Sequence, residues 1–172
     1  YAWLEWIPHE TILFDGSRMR RKSVIDVAQK GKAMAGDILV FGRIARGENL
    51  THGLQHDEWA IRVANRLVWT DSLHWEDDVV SLMNSPTGFN GSTAMASFFY
   101  IGEDAPLYKD RARLLITSEN LFTGVTCFDG LLVARWLGRD AVALRRSFGN
   151  FWSSFRNMTM GLPPTLPRIW NI

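Results

Sequence analysis

The chain has 172 residues, enough for one compact domain with a real core and too few for two ordinary ones. Apolar residues make up 47% and charged residues 22%, a balance that excludes a disordered, highly charged segment. The 19 basic and 18 acidic side chains leave a net charge of +1, so no positive field gathers nucleic acid or anionic lipid, and neither is expected as a partner.

Tyr1 to Ile7 reads as an extended apolar strand with no initiator methionine before it, and a fragment is expected on that ground. Residues 1–102 then punctuate like an all-β protein: short β-branched and aromatic runs are separated by turn residues at Pro8, Asp15-Gly16, Gly31, Gly47, Gly53, Asn65 and Pro86. Ala33 to Gly42 is apolar on both faces, as a strand between two layers is. Glu58 to Trp75 predicts a hairpin turning near Asn65, with Trp59, Ile61 and Val63 on one arm and Leu67, Trp69, Leu73 and Trp75 sharing a face on the other.

Residues 103–172 read as helix, strand, helix. Pro106 suits a first helical turn and is followed by Leu107, Tyr108, Ala112, Leu115 and Ile116 at helical spacing. Gly124 to Leu137 is strand-like around an Asp129-Gly130 turn, and Asp140 stands where an N-cap belongs. Leu144, Phe148, Phe151, Trp152 and Phe155 then form one stripe, with Gly161 and Pro163-Pro164 as the stop. Gly149 inside that stretch costs about 1 kcal/mol relative to alanine, which a buried aromatic stripe can outweigh. The fold class expected for residues 1–172 is a single, mainly β domain of layered, sandwich-like sheets with two α-helices in the C-terminal third.

Cys127 is the only cysteine, which rules out an intrachain disulfide and favours a reducing compartment; a cytoplasmic protein is expected. No uncharged apolar run approaches a bilayer-spanning length. The motifs of common enzyme classes are missing: there is no G-x-S-x-G, Walker A, G-x-G-x-x-G or H-E-x-x-H.

Two acids stand out. Asp37 lies among Ala35, Leu39 and Phe41, and Asp71 shares the face of Leu67, Trp69, Leu73 and Trp75. A buried carboxylate needs a partner, a hydrogen bond, water or a cation, so either each Asp is satisfied by backbone N–H groups or an arginine, or the pair serves chemistry. His52 and His56 are four apart, a ligand spacing only on a helix, which Gly53 argues against; His9 and His74 are isolated. Arg18, Arg20, Arg21 and Lys22 read as a solvated face or a protected sheet edge.

The segment Leu4-Glu5-Trp6-Ile7-Pro8-His9-Glu10-Thr11-Ile12-Leu13-Phe14-Asp15-Gly16 resembles the signature of the UreD (UreH) family of urease accessory proteins, approximately L-E-W-L-P-Q-E-T-I-x-F-x-G, departing conspicuously only at position 9. The resemblance continues through Asp37 to Arg43, Gly47-Glu48, Gly53, Leu67 to Leu73, Gly130 to Arg135 and Leu166-Pro167-Arg168-Ile169-Trp170. It implies a β-helical arrangement of strands with two helices, a chain lacking an N-terminal part, and a non-enzymatic chaperone that binds apo-urease with UreF and the GTPase UreG. It also implies nickel(II) in transit through an internal polar tunnel, with no tightly bound cofactor. By position in the matched motifs, Asp37 and Asp71 fall among the tunnel acids, with Glu5 and Glu10 as further candidates. Arg168 and Trp170 are candidates for partner binding. Carboxylates and water suit transit, since imidazole or thiolate would hold nickel more tightly. The competing readings are a docking scaffold without metal passage and an unrelated carboxylate-dependent hydrolase, which would need Asp37 and Asp71 about 5–10 Å apart in an open cleft.

Overall fold

A computed structural model describes residues 2–116 and 118–171. Tyr1, where the expected first strand begins, lies outside the described residues. Nine strands run β1 Trp3–Trp6, β2 Thr11–Leu13, β3 Arg18–Val27, β4 Lys32–Phe41, β5 His52–Val63, β6 Arg66–Asp78, β7 Ala94–Ile101, β8 Leu121–Phe128 and β9 Leu131–Gly138. Three helices join them: α1 Val80–Asn84, α2 Ala105–Leu115 and α3 Ala141–Met160.

The strands form two sheets. The larger has the order β1-β4-β7-β9-β8, with β2 also pairing β4; the smaller has the order β3-β5-β6. Between β2 and β7 the chain passes from one sheet to the other four times, so that β1 and β2 pair β4 in parallel and β3 pairs β5 in parallel, while the remaining ladders are antiparallel. This alternation makes the fold mainly β and layered, as the sequence predicts.

The larger sheet is the middle layer. Met34, Ile38, Phe98, Tyr100, Leu132 and Trp136 point from it toward α3, whose Leu144, Phe148, Phe151, Trp152 and Phe155 are all buried in the same cluster. Asp140 caps α3, its Oδ1 accepting from the N–H groups of Val142 and Ala143 at 2.8 and 3.0 Å. Gly161 ends the helix in the left-handed region, at φ 63°. The opposite face of the larger sheet packs on the smaller one, with Ala33, Ala35, Phe99, Ile101, Leu131 and Val133 against Ile25, Val27, Trp59 and Ile61.

Two details depart from the sequence reading. A bulge between Ile61 and Arg62 shifts the β5–β6 register, so Leu67 pairs with Arg62 and is half exposed, while Trp69 pairs with Ile61 and keeps the inner face with Leu73 and Trp75. The extra residue in that arm breaks the alternation from which a shared face for Leu67 was inferred. The short α1 was also unforeseen; it follows Asp78, whose carboxylate accepts from Val80 N and Ser81 Oγ at 3.0 and 3.2 Å.

Gly36 on β4 lies directly under Phe148 of the helix layer. A Cβ there would lie 2.5 Å from the Ser97 carbonyl oxygen and 3.1 Å from Phe148 Cζ. Gly36→Ala is expected to lower unfolding stability by about 1–3 kcal/mol, the usual cost of overpacking, measured as a fall in the urea midpoint at unchanged m-value.

Candidate functional site: a charged row between the sheets

In a two-sheet interior built from aliphatic and aromatic side chains, the inward positions at the middle of the strands are polar. Register places Asp37 on β4 beside Ser97 on β7 and Arg135 on β9, and in the smaller sheet Arg21 on β3 beside Asp57 on β5. Asp71 on β6 faces the same interior one step along, paired with Trp59. Apolar clusters lie to either side: Ile25, Ala35, Trp59 and Phe99 at one end, Leu39, Phe41, Leu50 and Trp75 at the other.

Arg21 ties the two sheets together. Its Nε donates to Asp57 Oδ1 at 2.8 Å, and its Nη2 reaches both Asp57 Oδ2 and Asp37 Oδ2. Asp37 and Asp57 are only 5% and 4% exposed, so both ends of this bridge are out of water. A second bridge, Arg135 to Asp71, also spans the sheets, with Arg135 Cζ 6.0 Å from the Trp69 ring centre. Its side chains are more accessible, at 41% and 29%. The row therefore grades from buried carboxylates near β4 and β5 to a wetter pair near β6 and β9. On the other side, a cleft of about 500 Å³ lined by Trp6, Pro8, Arg21 and Ser23 opens between β1 and β3.

Burial pushes the Asp37 carboxyl up to about 6; the Arg21 charge opposes the rise, and the charges of Asp57 and Asp71 add to it. Gln55, two residues before Asp57 on the same inward face, is 1% exposed, and neither its amide nitrogen nor its oxygen has a hydrogen-bond partner among the described residues.

Glu5 and Glu10 lie on the other side of the larger sheet. Glu5 accepts from Trp3 Nε1 at 3.0 Å, Trp152 Nε1 at 3.2 Å and Arg156 Nε at 2.8 Å. Glu10 accepts from Arg145 Nε at 3.1 Å, and Arg145 also donates to the Trp170 carbonyl at 3.0 Å. These two acids fasten β1 and the loop after it to α3. Trp170 is 3% exposed, stacked between Phe148 and His9, and its side chain belongs to the core rather than to an open docking surface. Gly149 explains how it fits: a Cβ there would come within 2.8 Å of Leu166 Cδ1 and 3.9 Å of the Trp170 ring. Arg168 is exposed.

A family model described as UreD urease accessory protein matches residues 1–171. The chain belongs to the UreD family. It is 37% identical over 176 residues to the urease accessory protein UreD of Magnetococcus marinus, covering 99% of this chain and 61% of that protein. The corresponding protein of Azorhizobium caulinodans is 35% identical, with 98% and 60% covered, and that of Granulibacter bethesdensis 34% identical, with 98% and 70% covered. The chain thus spans about 60% of the length of most of these relatives. None of its described helices is long and apolar enough to cross a membrane.

Within this UreD chain the sequence reading found Asp37 and Asp71 but missed the groups that hold them. Composition groups Arg21 with a basic run that reads as a solvated face or a protected sheet edge; the strand instead turns Arg18, Arg20 and Lys22 outward and Arg21 inward with Met19 and Ser23. Asp57 carried a legible signal, since it precedes Trp59, Ile61 and Val63 on their own alternation.

The raised carboxyl fixes a sign. An acid that holds its proton more tightly when folded adds stability at low pH and loses it as pH rises from the unfolded value toward about 6. The stability of wild type relative to Asp37→Asn is expected to fall between pH 4 and pH 7 by on the order of 2–3 kcal/mol, read from urea unfolding at each pH. A difference that does not change with pH would mean that Asp37 stays ionised throughout.

Proposed function

We propose that this chain serves urease maturation as a non-enzymatic accessory protein that binds apo-urease together with UreF and UreG. Nickel(II) is passed along the row of carboxylates between the two sheets on its way to the urease active site. The observation that carries this reading is the row itself. Asp37, Asp57 and Asp71 face one another between two apolar clusters, offset by only two guanidiniums, with the unpartnered amide of Gln55 beside them.

Carboxylate and amide oxygens with water bind nickel(II) more weakly than imidazole or thiolate does, which suits an ion that must leave again. Arg21 and Arg135 act as place-holders: each neutralises carboxylates until a divalent ion exchanges with it, so that charge is never left bare in a low-dielectric interior. The cleft between β1 and β3 meets the row at Arg21, and the more exposed Asp71–Arg135 pair forms its other end. Glu5 and Glu10 have the supporting role of holding the β1 edge against α3. The cytoplasm is the compartment in which this reading places the protein.

A docking scaffold is favoured by one observation, the sheet-to-sheet Arg–Asp bridges, which have a structural use of their own. Activation of urease in cells separates the two. With the full-length protein carrying Asp37→Ala or Asp71→Ala, urease activity and nickel content are expected to fall at least about tenfold while UreF and urease are still pulled down. Arg21 keeps Asp57 in the first variant, so no buried guanidinium is left without a counter-charge, and the pull-down reports whether the fold is kept. Normal activation in both variants would leave the scaffold reading.

A further inference from the structure

The outer face of the smaller sheet brings together two histidines that the sequence reading treated separately. His56 on β5 pairs in register with His74 on β6, and their Nδ1 atoms lie 3.4 Å apart, with ring centres at 5.3 Å and planes at 69°. Both are reachable from solvent: His74 is exposed and His56 partly so.

Two ring nitrogens facing each other at this distance have two stable arrangements. Either one Nδ1–H donates to the lone pair of the other, or both lone pairs point at a shared cation. The spacing fits the second. Imidazole nitrogens about 2.0–2.1 Å from a tetrahedral metal ion stand roughly 3.4 Å from each other.

The next group outward supplies the His56 tautomer that metal binding requires. The Glu58 carboxylate is 4.0 Å from His56 Nε2 and is held by Lys22 Nζ at 2.8 Å, which keeps it below the usual carboxylate range and therefore ionised. An ionised carboxylate beside Nε2 favours the proton there, leaving the Nδ1 lone pair of His56 turned toward His74; this is the outer-shell pattern that orients metal-ligating imidazoles. Arg20 is the neighbouring residue in the same row of the sheet, and its exposed, positively charged side chain works against the site, whereas the Lys22 charge is engaged by Glu58.

We propose that His56 and His74 form a surface site for a divalent transition-metal ion of the imidazole-preferring class, nickel(II), copper(II) or zinc(II), bound through both Nδ1 atoms with water completing the coordination. Among the described residues no group of three or more His, Cys, Asp or Glu side chains is arranged for a metal, so the protein supplies two ligands and the ion remains exchangeable. Hard ions that prefer oxygen are not held there. The site is separate from the carboxylate row: these histidines occupy the outward face of β5 and β6, whereas Asp57 and Asp71 occupy the inward one.

The test is calorimetric titration of the full-length protein with nickel(II) chloride and with zinc(II) chloride, comparing wild type, His56→Gln, His74→Gln and Asp37→Ala. One equivalent is expected to weaken at least about tenfold in each histidine variant and to be unchanged in Asp37→Ala. Magnesium chloride is expected to give no heat at this site. In nitrogen-15 NMR of the wild type, zinc is expected to move the Nδ1 resonances of His56 and His74 more than their Nε2 resonances, and acidification is expected to reverse it as protons compete for the same lone pairs. Unaltered binding in both histidine variants, or zinc shifts confined to Nε2, would overturn the assignment. Loss of that equivalent in Asp37→Ala alone would move it to the carboxylate row.

Discussion

The bridge from Asp37 through Arg21 to Asp57 is the constraint around which the two sheets are arranged. One guanidinium on the smaller sheet satisfies carboxylates on both, and that requires β3, β4 and β5 to hold the register at which the three side chains meet. A slip of one residue would send Arg21 to the outer face and leave Asp37 buried without a counter-charge, a state costing several kcal/mol. The apolar clusters on either side supply the bulk of the cohesion, while the bridge selects the register.

Ion pairs buried to this degree do not by themselves make a protein more stable, because the desolvation of each partner consumes what their attraction returns. A purely aliphatic interior would hold these two sheets together at least as well. Cohesion alone therefore does not account for the charged row. Three carboxylates against two guanidiniums leave one negative charge in excess, and the proton that Asp37 retains up to about pH 6 can cancel it. Near pH 6 the row is poised between neutral and singly negative.

The opposite face of the larger sheet follows a different logic. There the acids Glu5 and Glu10 each meet an arginine of α3 near its inner face, and Trp170 closes over Phe148 where Gly149 leaves room. The contacts join Glu5, His9 and Glu10 to α3 and Trp170, with α3 between the two ends. Residues close together in the first motif thus do different work from Asp37 and Asp71, although all four are carboxylates.

This division was only partly legible in the sequence. Alternation exposed Asp37 and Asp71 as acids on apolar faces, the aromatic stripe of α3 was readable residue by residue, and Asp140 announced its cap. What period alone could not supply was pairing between distant strands. Arg21 sits in a run of four basic residues among five, where composition suggests solvent and only the phase of the strand reveals that one of them points inward. The bulge at Ile61 and Arg62 leaves no mark in the pattern because it changes the phase of only one arm. Likewise His56 and His74 look unrelated until β5 and β6 are laid side by side, at which point a separation of 18 residues becomes 3.4 Å. In each case the missing information is register, a property of two strands together that no single strand encodes, and register is also what places the charged row inside the sheets and the histidine pair outside them.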